Sequence, residues 1–551
     1  MRRVTKKRSF FILASLLVLA VFYAGCNKEN LPNEPLRQHV NYLLPATPLS
    51  VDPAFLRDEA GYQLVTSLWE GLVRLEADGS LGKALAEDWQ ISEDGKKYVF
   101  TLRAANWSNG SKHTAFDFEA AWKRNMTPGN NSPVAYLLYD IKNAENYHRL
   151  QDENYGGKKA SLEEVGIKAT DERTLVVELE KNNPVFLSKL VHPVFYPLPP
   201  EAINDQEGTF FQAAKLIGNG PFKISEEVAG DRYELVKNEQ YWEKDKVKLA
   251  RMTWFLPSER RDGWAMFEEG KLDLTGDVPF DRVEKGLAAG ELKSAPLLTT
   301  YYYQFNTAKP PFNDVKVRQA LSFSLDREKL IREYLKGGQK PAGGIIPEGM
   351  PESAQGGDFH RNSEKKVPAG DEKKASALLA EAGFSEGKGF PETELLVSEQ
   401  EGHRYFAEKI RQEWQEKLGL KLQIVTLSWP ELRERMSKRD YQLALMGWSA
   451  DFADPLPYLQ SFMRGSGNNT TGWANPEYDR LLEKAASAAS EEERSAALHQ
   501  AENILLEEGP VLPLYQFTKV YAARDVVQDL FVSPLGFGFD FRAVHIAKPE
   551  N

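Results

Sequence analysis

The chain of 551 residues is poor in the side chains that most often carry chemistry. It has one cysteine, Cys26, so the folded part must hold together without a disulfide. Its eight histidines are scattered, and none forms a close pair at metal-ligand spacing. No G-x-x-x-x-G-K-[ST], no G-x-G-x-x-G opening a helix, no H-E-x-x-H and no G-x-S-x-G occurs. Nucleotide-phosphate, dinucleotide, zinc-protease and serine-esterase chemistries therefore lack their signatures, and no cofactor and no metal is expected. Acid pairs such as Glu163-Glu164 and Glu507-Glu508 lie in polar stretches that read as solvated surface. A hydrolase built on two carboxylates stays open at this point, though no pair stands out.

Positive charge is scarce too. The formal charge is −11, and the five basic residues before residue 26 have no acid among them, which leaves −16 for the remainder. Such a chain repels phosphate, so nucleic acid and anionic membrane surfaces are poor partners. No internal repeat and no low-complexity tract is present. What the chain has is length and apolar bulk: 42% hydrophobic residues, with 11 Trp, 21 Tyr and 29 Phe. That is a folded protein too long for one ordinary core, so two or more domains are expected.

The N-terminus is distinctive. Arg2, Arg3, Lys6, Lys7 and Arg8 precede an almost wholly apolar run from Phe10 to Tyr23, then Ala24-Gly25-Cys26. The run is short for a bilayer span and suits a signal-peptide core. Small residues directly before the sole cysteine resemble the lipobox at which bacterial lipoproteins are cleaved and acylated, with Tyr23 replacing the usual Leu. The expected division is a signal peptide over 1–25, lipidation at Cys26 and a polar tether over 26–38. An uncleaved N-terminal anchor is the alternative.

Further along, Val40–Leu44 reads as a strand and Gly61–Leu75 as a helix from the spacing of Leu64, Val65, Leu68, Trp69 and Leu72. Strands are expected at Tyr98–Leu102, Thr174–Leu179 and Tyr233–Val236, and a helix over Asp117–Lys123 started by Thr114 or Asp117. A helix is expected over Val315–Tyr334, and a long surface connection over 336–370. From Glu372 helices alternate with strands up to Tyr441–Met446, which argues for an α/β lobe with a mainly parallel sheet. That last strand leads into Gly447-Trp448-Ser449-Ala450-Asp451-Phe452-Ala453-Asp454-Pro455. Asp-Pro favours a turn, so Asp451 should lie just past the strand, where open α/β sheets bind ligands. A carboxylate beside aromatic rings suits a ligand with a positive amine and an apolar body. The plainer reading makes Trp448 and Phe452 core and Asp451 a turn cap.

Several blocks decide between these readings. Leu68-Trp69-Glu70-Gly71-Leu72, Asn106-Trp107-Ser108-Asn109-Gly110 and Asn219-Gly220-Pro221-Phe222 with Lys237-Asn238-Glu239-Gln240-Tyr241-Trp242 come first. Phe305-Asn306-Thr307 through Pro311 to Leu321 with Asp326-Arg327, and Gly447 to Pro455, complete the set. In this order and spacing they resemble the extracytoplasmic solute-binding proteins of peptide ABC importers. Ser132–Tyr139, Ile141–Glu145, Pro513–Gln516 and Val532–Gly536 are similar to the oligopeptide branch.

The resemblance implies an α/β, two-lobed periplasmic-binding-protein-like clamp of class II, in its large three-subdomain type. Lobe I would comprise 39–75 with 217–305 and 514–551, its small subdomain 76–216, and lobe II 306–513. A peptide would lie extended between the lobes as an added strand. It also implies roles: Asp451 pairing the peptide's α-amino group, Trp448 and Trp429 lining side-chain pockets, Gly447 a backbone contact, with Phe452 beside them. His403 would neutralise the C-terminal carboxylate of ligands of one length, and Arg57 and Glu59 would belong to the cleft floor. Val134 replaces a tyrosine of related binders, so that contact is missing or is supplied by Tyr136 after a shift, and Leu445 stands where some members carry an arginine. Asp314, Arg318 and Asn306 read as structural, and Asp454-Pro455 as turn chemistry. The implied protein is a monomeric, lipid-anchored receptor, not an enzyme, outside the cell membrane. It would pass oligopeptides to ABC permease subunits with cytoplasmic ATPases. Rival readings are the same fold binding a dipeptide, a signalling peptide or a metal chelate, a peptide hydrolase, and a purely structural surface lipoprotein.

Overall fold

The computed structural model describes residues 37–548, apart from 154, 206–208, 353–356, 365–366, 368–369, 400 and 489. The signal peptide, Cys26 and the tether up to residue 36 lie outside the described residues. Fifteen elements carry the argument below. They are β1 (His39–Leu43), α1 (Glu59–Leu68), β2 (Phe222–Val228), β3 (Arg232–Lys237), β4 (Arg251–Phe255), β5 (Leu274–Thr275) and β6 (Lys293–Phe305). There follow α2 (Val315–Phe323), β7 (Thr393–Ser398), α3 (Glu401–Leu418), β8 (Leu422–Leu427), α4 (Trp429–Ser437), β9 (Leu443–Ser449), α5 (Glu491–Glu508) and β10 (Val511–Ala523).

One large sheet runs through the molecule in the order β2-β3-β4-β1-β5-β10-β6-β9-β7-β8. β6 and β10 are each 13 residues long and antiparallel. Their first-lobe halves pair Lys293–Pro296 with Thr518–Tyr521, and their second-lobe halves pair Thr300–Gln304 with Val511–Gln516. The register slips between Pro296 and Thr300, so the two strands form a jointed bridge between two lobes. β6 already pairs with β9 from Thr299 onward, seven positions before residue 306. The strands of the α/β stretch are parallel as expected, β7 to both β8 and β9, and the sheet becomes mixed where β9 meets β6 antiparallel.

Three cores fill the lobes. The first gathers Val40, Leu64, Trp69, Phe100, Trp122, Phe195, Trp254 and Phe541. It extends over a four-stranded sheet that includes Lys97–Leu102 and Thr174–Glu178, against which the helix Ala115–Asn125 packs. In that helix the Asp117 carboxylate accepts from the Thr114 N–H at 2.7 Å, the expected cap. The other two cores lie on the β6–β9–β7 half, one around Tyr302, Leu396 and Met446, the other around Tyr303, Leu395 and Leu445. Adjacent strand residues face opposite sides of a sheet, so neighbours such as Tyr302 and Tyr303 belong to different cores.

Three expectations fail where tertiary contacts override periodicity. The helix expected over Gly61–Leu75 ends at Leu68, because Asn219 bonds both the N–H and the C=O of Glu70 at 2.9 and 3.0 Å. Gly218 and Gly220 press against the backbone of Leu68 and Trp69, where any Cβ would clash, and the chain leaves extended. The expected Val315–Tyr334 helix breaks after Phe323, since Asp326 caps a fresh turn over Arg327–Leu330. The supposed surface connection over 336–370 is partly buried: Ile345, Ile346, Met350 and Phe359 are core, and the Glu502 carboxylate accepts from the N–H groups of Ile345 and Ile346.

Candidate ligand-binding cleft

β9 runs three residues further than its apolar core suggests, because Gly447, Trp448 and Ser449 pair with Tyr301, Thr300 and Thr299. β7 covers its other edge only at Leu443 and Ala444. From Leu445 to Ser449 that edge has no strand partner among the described residues. An extended chain adds to such an edge through main-chain hydrogen bonds. Gly447 lies against the Tyr301 ring, which a Cβ there would meet at 3.1 Å, so glycine keeps backbone and ring close.

Past the strand the chain is pinned. The Asp454 carboxylate accepts from the Leu456 N–H at 2.8 Å and pairs with Arg494 at 2.7 Å, both side chains almost fully buried. Asp454 is thus the expected turn residue and also half of an ion pair the sequence did not disclose. The turn aims Asp451 at the opposite lobe, where the Tyr136 hydroxyl donates to its carboxylate. Desolvation pushes the Asp451 carboxyl above its ordinary range, opposed by the Tyr136 hydrogen bond and the Lys189 charge. Burial, and then the Asp451 charge, raise the Tyr136 hydroxyl in turn. Lys189 pairs with Asp140 and lies 5.3 Å over the Phe452 ring. Phe452, buried, packs into the first core although the rest of its strand–turn belongs to the other lobe. Behind them the Tyr62 hydroxyl meets His192 Nε2 at 3.1 Å. Burial lowers His192 to about 3, and its Nδ1 accepts from the Val194 N–H, so the neutral ring donates from Nε2 to Tyr62.

Tyr136, Trp448, Asp451 and Phe452 line one space of about 1550 Å³ between the lobes. Trp429, Gly447 and Trp448 line an adjoining recess of about 680 Å³ in the second lobe. Glu59 lies elsewhere: it pairs with Lys519 in a third space of about 1360 Å³ beside the β6–β10 bridge. His403 is bonded to Ser398 Oγ at 2.7 Å and stands edge-on to Tyr301, 5.0 Å away. Burial lowers it to about 4, so at neutral pH it is an uncharged hydrogen-bonding group. Arg57 is exposed and lines none of these three spaces. Lys189, Tyr62, Arg433 and Lys519 were missed by sequence reading. Each is an ordinary residue of a helix or strand whose place in the cleft comes from chain hundreds of positions away. Among the described residues no group of three or more His, Cys, Asp and Glu could hold a metal, and no helix is long and apolar enough to cross a membrane.

The recurring sequence blocks serve chiefly to build this frame. Glu70 accepts from the Trp242 indole at 2.6 Å and the Tyr241 hydroxyl at 3.1 Å, and pairs with Arg74. Arg318 donates to the Phe312 and Gly509 carbonyls, and Asp314 caps α2.

Two α/β lobes joined by a strand pair, with a desolvated acid on one facing a tyrosine on the other, define a binding protein that clamps its ligand. The chain belongs to the bacterial extracellular solute-binding proteins of family 5, whose middle-region model matches residues 80–470. It is 33% identical to the dipeptide-binding protein DppE of Bacillus subtilis, over 89% of each chain. It is 31% identical to the oligopeptide-binding protein OppA of the same organism, over 96% of this chain and 98% of the relative. The structure of Haemophilus influenzae OppA in complex with the peptide RPPGFSPFR superposes with a TM-score of 0.75 at 26% identity, covering 93% of this chain and all of the other.

Proposed function

We propose that this protein is an extracytoplasmic receptor that captures oligopeptides between its lobes and hands them to an ABC permease. The observation that carries the reading is Asp451: an acid held out of water at the end of a strand edge with no partner among the described residues, in the space between the lobes. A peptide's ammonium would take the place of the Tyr136 proton donor and supply the charge the site lacks, while its backbone pairs with Leu445–Ser449. Trp448, Phe452 and Tyr136 would bound the amine end, Gly447 would let the peptide backbone approach, and Trp429 would wall a side-chain recess. Glu59 would belong to the cleft floor beside the bridge, from which Arg57 stands apart, and His403 would serve the far end of longer ligands as an uncharged hydrogen-bonding group. We take the lobe boundaries at the bridge itself, near residues 297–299 and 517, with 76–216 as the small subdomain. We further propose that Cys26 is the lipidated N-terminus of a monomeric mature chain. Detergent phase partition, lost in Cys26→Ala, tests the anchor.

The likeness to a dipeptide-binding relative gives the second reading, a shorter cargo. Native mass spectrometry of the soluble form from Asn27, purified without refolding, separates them. A ladder of added peptide masses, lost on denaturation, is expected. One dipeptide-sized series would favour the second reading, and a protein that stays bare with a peptide library would overturn both.

A further inference from the structure

The recess beside Asp451 has an unusual balance of donors and acceptors. Its walls are Tyr302, Trp429, Met436, Trp448 and Phe462, with Arg433 at the side. No Asp or Glu is among the residues lining it. Arg433 is exposed, lies 5.9 Å from the Trp429 ring centre, and has no ion pair or hydrogen bond among the described residues. The other cations of the same helix end are all engaged: Arg435 with Glu394 and Asp440, Lys438 with Glu434. The Trp448 indole N–H is buried and has no acceptor either. An unpaired guanidinium thus belongs to the lining of one aromatic-walled recess that holds no carboxylate of its own, with the unpaired Trp448 indole N–H buried behind that wall. A guanidinium with no partner beside aromatic walls favours a carboxylate, which meets it through charge-assisted hydrogen bonds.

We propose that this recess selects an acidic side chain of the bound peptide, with Arg433 as the specificity-determining residue. The methylene stem of a Glu would lie against the Trp429 and Trp448 side chains and its carboxylate would meet Arg433. Because the recess shares Trp448, Ser461 and Asn468 with the space that holds Asp451, the side chain is one of the first few after the free amine. The inference rests on the peptide-receptor reading and refines it.

The test is isothermal titration of alanine-based tetrapeptides carrying Glu or Gln in turn at each position, at pH 7. At one position Glu should bind about tenfold more tightly than Gln, the equivalent of one charge-assisted hydrogen bond. In Arg433→Met that ratio should fall to about one, and Arg433→Lys should recover part of it, because a point charge attracts the carboxylate without the fork. Thermal melts of both variants confirm the fold. Equal affinity for Glu and Gln at every position, or a Glu preference that survives Arg433→Met, would overturn the assignment. No binding of any tetrapeptide by the parent protein would instead bring down the peptide reading, and this inference with it.

Discussion

The ionised form of Asp451 is a cost to the ligand-free protein. Burial raises its folded-state pKa above the unfolded value, so the folded chain holds that proton more tightly. The stabilisation linked to that proton is complete below about pH 3.9, the unfolded carboxyl value, and is lost as pH rises through the raised folded value. Asp451→Asn removes the charge and keeps an acceptor for Tyr136, so ligand-free Asp451→Asn should melt at a higher temperature than the parent protein at pH 7. The same change removes the partner proposed for the peptide's ammonium and should weaken binding by roughly 2–5 kcal/mol in titration calorimetry. Parent affinity should fall as pH drops through the raised Asp451 value, and the Asn variant should show no such step. A melting point lowered by the substitution would mean that Asp451 stabilises the fold rather than serving a ligand.

Among the elements, the turn after β9 depends on the Arg494–Asp454 pair, which ties it to α5. The two side chains are 3% and 4% exposed, so removing one partner strands a charge away from water. Arg494→Leu should cost about 3–5 kcal/mol in chemical denaturation. Adding Asp454→Asn should restore most of that loss, since Asn removes the stranded charge and still accepts from the Leu456 N–H. The end of α1 shows the same logic in neutral groups. Asn219→Ala leaves the Glu70 N–H and C=O unpaired in a buried site and should cost about 1–3 kcal/mol for each.

For the whole molecule, the cleft is bridged by single contacts rather than by a broad interface. Tyr136 meets Asp451, Lys189 covers Phe452, Phe280 stands 5.8 Å from Tyr405, and Lys336 pairs with Glu284 at 2.7 Å. Motion at the β6–β10 bridge breaks all four and draws Phe452 out of the first core, while the rest of each core moves with its own lobe. Tyr136→Phe should therefore enlarge the radius of gyration of the ligand-free protein in small-angle scattering, and saturating peptide should bring it back to the compact value. A bound peptide at a hundred times its dissociation constant should add about 2.7 kcal/mol to the stability.

The chain's α/β alternation after Glu372, the caps at Thr114 and Asp314 and the place of Asp451 were all legible in the sequence. Each rests on local chemistry: an apolar run, side-chain periodicity, a cap or an Asp-Pro turn. The end of α1, the break after Phe323 and the burial of Ile345 and Phe359 were not, because each is enforced by Asn219, Asp326 or Glu502 through contacts that periodicity does not encode. The partners of the candidate site were equally hidden. Tyr136 and Asp451 are 315 positions apart, and only the return of the chain through β6 and β10 brings them within hydrogen-bonding distance. The sequence by itself determined which residues are able to hold a charged ligand end. The tertiary structure decided which of them face one another, because a cleft between lobes is made of long-range contacts that no local stretch contains.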